Sequence, residues 1–346
     1  MAGTLKVGGN IIATHTGVEG AGEVSLTNVS LGGGAFMFRN KIINGGMQID
    51  QRNAGASVGP FASASAGYKG VDRWFIASDP MTSQQITGNT PTGFSHYLKL
   101  TKGSGSNIDI RQTVELPAAG QAGQFGVGSV WTLSFYAKSV AGSETLNFST
   151  YFRSGVATGT FTAVSAPTPS SVTLTTNWTR YSVLFTIDVS PGSNDLCIAF
   201  GLNTTATELH LTGVQLEEGT AATPFEHRPI GMELSLCQRY AHFIRPLAQY
   251  AAIGVGRAWS STQGNAHVYL PVPMRGAIAI EYSNLTHFDL PPAGEGVSSL
   301  HNDGSTLQTV KVGWTRSSNI SSGTYYQLEF EDSNWQNAYL GFTSEL

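Results

Sequence analysis

The chain has 346 residues and a mass of 36.6 kDa, enough for roughly two domains of about 150 residues each. Only 12% of residues are Asp, Glu, Lys or Arg, Gly stands at 41, and Ser plus Thr supply about a fifth of the chain; soluble domains ordinarily carry about 25% charge. The 40% hydrophobic content is enough for cores, so this excludes disorder, and a surface of Ser, Thr, Asn and Gln suits strands and turns and excludes helical bundles.

The net charge of −4, the pI near 6.1 and the scatter of 19 basic residues argue against nucleic acid as a partner. The opening MAGTLKVGGNII lacks the basic and apolar regions of a secretory signal, and no stretch approaches the ~20 apolar residues of a membrane span. The sequence therefore predicts a soluble protein made in a reducing compartment, with no membrane partner. Cys197 and Cys237 cannot form a C-x-x-C site. Buried free thiols are the expectation for them, and a disulfide the alternative.

Residues 1–38 read as an extended arm. Leu5, Val7, Ile11 and Ile12 alternate around Gly8 and Gly9, and Val24, Leu26, Val29 and Leu31 follow the glycine cluster at 17–22. So short a segment cannot bury a core, which predicts packing against copies of itself or against another protein.

Residues 39–228 form a series of period-2 runs separated by turn clusters, the pattern of a β-sandwich or jelly roll. The clearest run, Trp131–Lys138, sets Trp131, Leu133, Phe135 and Ala137 on one face and Thr132, Ser134, Tyr136 and Lys138 on the other. Similar runs are Ile108–Val114, Leu146–Phe152, Tyr181–Val189, Cys197–Leu202 and Leu209–Leu216. Trp74, Trp131 and Trp178 fall among apolar neighbours and are expected in the core.

A linker helix is expected within 229–246, where Met232, Leu236, Tyr240 and Phe243 recur at helical spacing and Leu234 and Cys237 widen the stripe. Period 2 then returns over 247–346, predicting a smaller C-terminal β-sandwich. The fold class is therefore all-β: arm, jelly-roll sandwich, short helix and second sandwich.

Catalytic motifs are missing from the sequence. The eight histidines are dispersed without an H-E-x-x-H pair or a carboxylate spaced to complete a metal site, and there is no G-x-S-x-G elbow. The glycine cluster at 17–22 leads into a strand, not a helix that could cradle phosphate. Glu329, Glu331 and Asp332 are the densest carboxylates, and on an alternating strand they read as the solvated outside of a sheet rather than a glycosidase pair. No catalytic residue, metal or cofactor is expected.

Binding has more support. Sugars are held by aromatic faces beside planar hydrogen-bonding groups. Arg111, Tyr136, Lys138, Tyr151 and Arg153 lie on polar faces of strands expected to neighbour one another, and Tyr325 and Gln327 lie on a C-terminal strand face with Trp335 on the turn that follows. The competing readings are ordinary side chains on a solvated sheet and, for Trp335, a cap on the sandwich end.

Three blocks resemble bacteriophage virion proteins of the tail-fibre and appendage type. Asn40-Lys-Ile-Ile-Asn-Gly-Gly-Met-Gln-Ile-Asp-Gln-Arg52 is similar to their (L/I)INGDFxxxQR entry strand, with Gly46 where the family often has Asp. Tyr68-Lys-Gly-Val-Asp-Arg-Trp-Phe75 is similar to their YxxDRW element. Residues 211–240 resemble the closing block GVQLExGxxATxFExRxxxxELxLCQRYY almost throughout. The resemblance implies a jelly roll of the carbohydrate-binding-module kind, a virion location after assembly in the host cytoplasm, and a trimer. It implies docking on other virion proteins through the arm and attachment to host surface polysaccharide. The alternative is a capsid decoration or head-fibre protein with a structural role. A polysaccharide-cleaving enzyme ranks last.

Overall fold

Alternating apolar and polar residues can bury one face of a sheet while leaving the other in water, and that pattern organises the chain. The structure, a computed structural model, describes the backbone of residues 3–7 and 10–15 and then residues 38–61, 66–77, 81–103, 107–116, 125–153, 161–191, 195–202, 207–291, 296–316, 320–331 and 335–345. The glycine cluster at 17–22, the apolar run at 24–31 and Asp332 lie outside the described residues. The chain divides into Met1–Arg39 and Asn40–Leu346. In the first part, β1 (Gly3–Val7) pairs antiparallel with β2 (Asn10–His15), with a register shift between Leu5 and Lys6.

The second part begins with a jelly roll. Its strands are β3 (Phe75–Ile76), β4 (Met81–Thr87), β5 (His96–Lys102), β6 (Ile108–Val114), β7 (Val130–Ser139) and β8 (Thr145–Arg153), then β9 (Phe161–Ala163), β10 (Ser171–Thr173), β11 (Thr179–Thr186), β12 (Asp195–Leu202) and β13 (Glu208–Glu218). One sheet runs β10-β8-β12-β6-β3 with β9 added on β8, and the other runs β11-β7-β13-β5-β4. Every pairing is antiparallel. The inner faces interdigitate: Phe135 of one sheet meets Phe148 and Phe200 of the other at 5.3 and 5.2 Å between ring centroids. Trp74 and Trp131 are fully buried in this core. Trp178 is not; it is half-buried on an outer face, where its indole N–H donates to the Asn89 carbonyl at 2.6 Å.

The helix α1 (Ile230–Gln238) is nine residues long, and the chain re-enters a sheet at β14 (Ala241–Ile244). It ends earlier than its apolar spacing predicts because Tyr240 and Phe243 belong to the turn and strand that follow. Its buried residues are Glu233 and Cys237, while Leu236 is half-exposed. The remaining strands are β15 (Ala252–Ala258), β16 (Gln263–Tyr269), β17 (Ala279–Tyr282), β18 (Phe288–Asp289), β19 (Ser299–Ser305), β20 (Thr309–Thr315), β21 (Tyr325–Phe330) and β22 (Leu340–Thr343). They build a three-stranded sheet, β14-β22-β17, and a six-stranded one, β18-β21-β15-β16-β20-β19. Trp314, Leu328, Phe330, Leu340 and Phe342 share the core of this second sandwich.

A buried polar cluster ties the start of the jelly roll to its last strand, to the helix and, through Gln51, to the second sandwich, and the three family-like blocks supply most of it. Asn44 sits at φ 57°, a left-handed conformation that Asn tolerates better than most residues. Its side-chain amide donates to the carbonyls of Ile49 and Asp72 at 2.8 and 2.9 Å, and its backbone carbonyl accepts from the Trp74 indole at 3.2 Å. Asn40 Oδ1 accepts from the backbone of Ile42 and Leu216, both at 3.0 Å. Arg228 donates to the carbonyls of Ile42 and Asn40 and pairs with Glu233, whose carboxylate also accepts from the Asn44 backbone. Gln51 reaches across to the Ala241 carbonyl at 2.8 Å. Buried polar groups require such partners, so these residues are architecture.

Candidate functional site

The structure separates the jelly-roll residues that the sequence singled out. β7 lies in one sheet and β6 and β8 in the other, so the five candidates do not share a surface. The path from β6 through β7 to β8 crosses from one sheet to the other and back, which is why nearness in sequence misleads here. Arg111 and Tyr151 do come together: the guanidinium lies 5.9 Å from the ring centroid, and it chelates Asp109 with contacts of 3.0 and 2.6 Å. Arg153 is 7% exposed, beside the added strand β9, and is withdrawn from the surface.

On the opposite sheet, Tyr136 packs against Phe94 at 5.4 Å and Lys138 lies over Trp178 at 5.0 Å. Phe94 also touches Phe225 and His227, so this face is closed over by its own loops. Within the second sandwich, Tyr325 is 71% exposed, and Gln327 donates to Glu329 at 2.8 Å. Glu329 is buried, not solvated as its alternation predicts, and burial raises its pKa. Trp335 stands apart from that face, half-buried in the short helical turn Trp335–Asn337.

The two residues after Trp335 open onto the feature the sequence did not disclose. An open cleft of about 510 Å³ lies between the first loop of the jelly roll and the end of the second sandwich. Its walls carry two rings, Phe61 and Tyr339, three planar amides, Asn53, Gln336 and Asn337, and three cations, Arg52, Lys69 and Arg245. The volume falls in the range of small-molecule sites, about 300–1,000 Å³.

These side chains are held in place. Arg245 donates to the carbonyls of Gln51 and Arg52, the first at 3.0 Å, and its guanidinium lies 5.2 Å from the Tyr339 ring centroid. Burial lowers its pKa, with the Asp50 charge acting the other way. Arg52 lies 4.7 Å from the Phe243 centroid and contacts Glu281 at 3.3 and 3.4 Å. Lys69 lies 5.0 Å from the Phe61 centroid. Asn53 is fixed by Asp50 and by the carbonyls of Lys69 and Gly70. Ring faces, amides and cations set in fixed positions can grip a polyhydroxylated chain with little ordering entropy.

Both cysteines are buried free thiols, and burial raises the pKa of each. Among the described residues, no group of three His, Cys, Asp or Glu could hold a metal, and no helix is long and apolar enough to cross a membrane.

No protein-family model matches the chain, and no curated protein does. Among solved structures, the chain is similar to the enzymatically active domain of tailspike protein 4 of bacteriophage CBA120, at 16% identity and a TM-score of 0.33. That likeness covers 52% of this chain and 22% of the tailspike chain. It is also similar to a xylan-binding domain from Paenibacillus barcinonensis at 18% identity and a TM-score of 0.29, over 49% of this chain and 99% of that one. A third is TmCBM61, solved with β-1,4-galactotriose, at 14% identity and a TM-score of 0.29, over 52% and 99% of the two chains.

Proposed function

We propose that this chain is a bacteriophage virion protein, a tail fibre or receptor-binding appendage, that holds host surface polysaccharide in the cleft between its sandwiches. The observation that carries this reading is the convergence of two rings, three amides and three cations on about 510 Å³ of open space. Ring faces accept the C–H faces of sugars, and amides exchange paired hydrogen bonds with adjacent hydroxyls. The virion role rests on the three sequence blocks that resemble phage appendage proteins. In this reading the arm docks on other virion proteins and the chain trimerises, so that weak sites gain avidity.

Binding without cleavage is part of the proposal. Glycoside hydrolysis commonly uses two carboxylates flanking the bond, and among the described residues no Asp or Glu lines the cleft.

The test uses the full-length protein in gels cast with purified host surface polysaccharide. The wild type should be retarded and Tyr339→Ala should not, with no reducing sugar released. Antibody labelling should place the chain on intact particles. Failure of the wild type to be retarded by any surface polysaccharide overturns the reading.

A further inference from the structure

We infer that the cleft selects acidic glycans, whose sugars carry a carboxylate, sulfate or phosphate group; this inference rests on the glycan-binding reading above. Three of its eleven lining residues are cationic, in a chain of 346 residues with only 19 Lys and Arg and a net charge of −4. That concentration is local and opposite in sign to the whole molecule. A cleft lined by one sign of charge gathers ligands of the other.

Acids behind the cleft offset part of this charge, but among the described residues no Asp or Glu lines it. Glu281 is the partner of Arg52, but it stands outside the lining, its side chain is 40% exposed, and its contacts are long. Asp50, held by hydrogen bonds from Asn53 and Gly55, acts on Arg245, and Asp72 acts on Arg52, but both acids stand outside the lining. Arg245 spends its own donors on neutral carbonyls.

The positions of the cations suit this ligand. Each is stacked on or beside an aromatic ring, Lys69 on Phe61, Arg245 on Tyr339 and Arg52 on Phe243. A sugar seated in the cleft beside Phe61 or Tyr339 would thus bring an exocyclic anionic group to a cation already in place. Charge-assisted hydrogen bonds of this kind are about twice as strong as neutral ones.

The experiment is a panel of immobilised oligosaccharides of matched length, neutral, uronate-bearing, sulfated and phosphorylated, probed with full-length protein. Binding to one or more acidic members is expected, with neutral members at background. Raising salt from about 0.05 to about 0.5 M should weaken it several-fold as charges are screened. Lys69→Gln should weaken it about tenfold while leaving the melting temperature unchanged. The sulfated, phosphorylated and uronate arms identify which anion is read. Equal binding of neutral members, or binding insensitive to salt, overturns the acidic selection and leaves glycan binding standing. No binding to any member overturns both. Arg245→Gln serves as a second variant, and the salt response of the wild type stands whether or not that variant folds.

Discussion

Arg73 and Glu345, 272 positions apart, form a salt bridge of 2.6 Å in which the side chains are 1% and 8% exposed. The guanidinium also donates to the Thr113 carbonyl at 2.8 Å and lies 3.5 Å from the Tyr240 ring centroid. Burial opposes its charge; Glu345, with Tyr68 and Tyr240, more than restores it, so its pKa lies above the ordinary value. Removing one partner of such a pair strands a buried charge. Glu345→Ala should therefore cost roughly 3–5 kcal/mol, read as a lower midpoint in urea. An unchanged midpoint would show that the two sandwiches do not depend on this contact.

Asp72 offers a test by pH. Burial pushes its carboxyl up to about 6, against hydrogen bonds from Gln51. Because the folded pKa is above the unfolded value, the folded state holds its proton more tightly between about pH 4 and 6. Stability from this group is full below about pH 4 and declines as pH rises through 6, by about 3 kcal/mol in all. Denaturant titrations across that window should show the decline, and Asp72→Asn should flatten it.

The two glycines of the entry block should behave differently. A Cβ on Gly45 would stand 2.0 Å from the Val214 carbonyl oxygen, whereas one on Gly46 would meet Gln48 and Phe225 at 3.7 and 3.8 Å, ordinary contact. Gly45→Ala should cost roughly 1–3 kcal/mol or more through strain. Gly46→Ala should fall within about 0.5 kcal/mol of the wild type. Thermal unfolding of the pair checks both.

Cys197 and Cys237 should be chemically silent in the native protein, since only the thiolate reacts and burial raises both pKa values. A thiol reagent should titrate neither until denaturant is added, then both. Cys237→Ser should cost roughly 1–3 kcal/mol by burying a hydroxyl in place of the thiol. Leu236→Ala, on the half-exposed side of the helix, should cost less.

The period-2 runs were sound guides to strands: Ile108–Val114 coincides with β6, and Trp131–Lys138 lies within β7. Alternation tells which face a residue takes, but it does not tell what covers that face. Glu329 alternates as a surface residue yet is buried. Trp178 sits in an apolar context yet reaches only the outer face. The cleft was illegible for another reason. Its walls come from residues between Arg52 and Phe61, from Lys69, from Arg245 and from Gln336, Asn337 and Tyr339, brought together by the meeting of two sandwiches, and no spacing along the chain records that meeting. The three family-like blocks lie beside one another in the fold, where their polar residues hold it together.

A cleft whose opposite walls belong to different sandwiches, with a buried ion pair holding those sandwiches together, behaves as a jaw whose hinge is locked. A polymer seated in it would act as a splint across the joint, resisting any twist of one half against the other. Twisting one half against the other would have to disturb the Arg73–Glu345 contact, whose two side chains are 1% and 8% exposed.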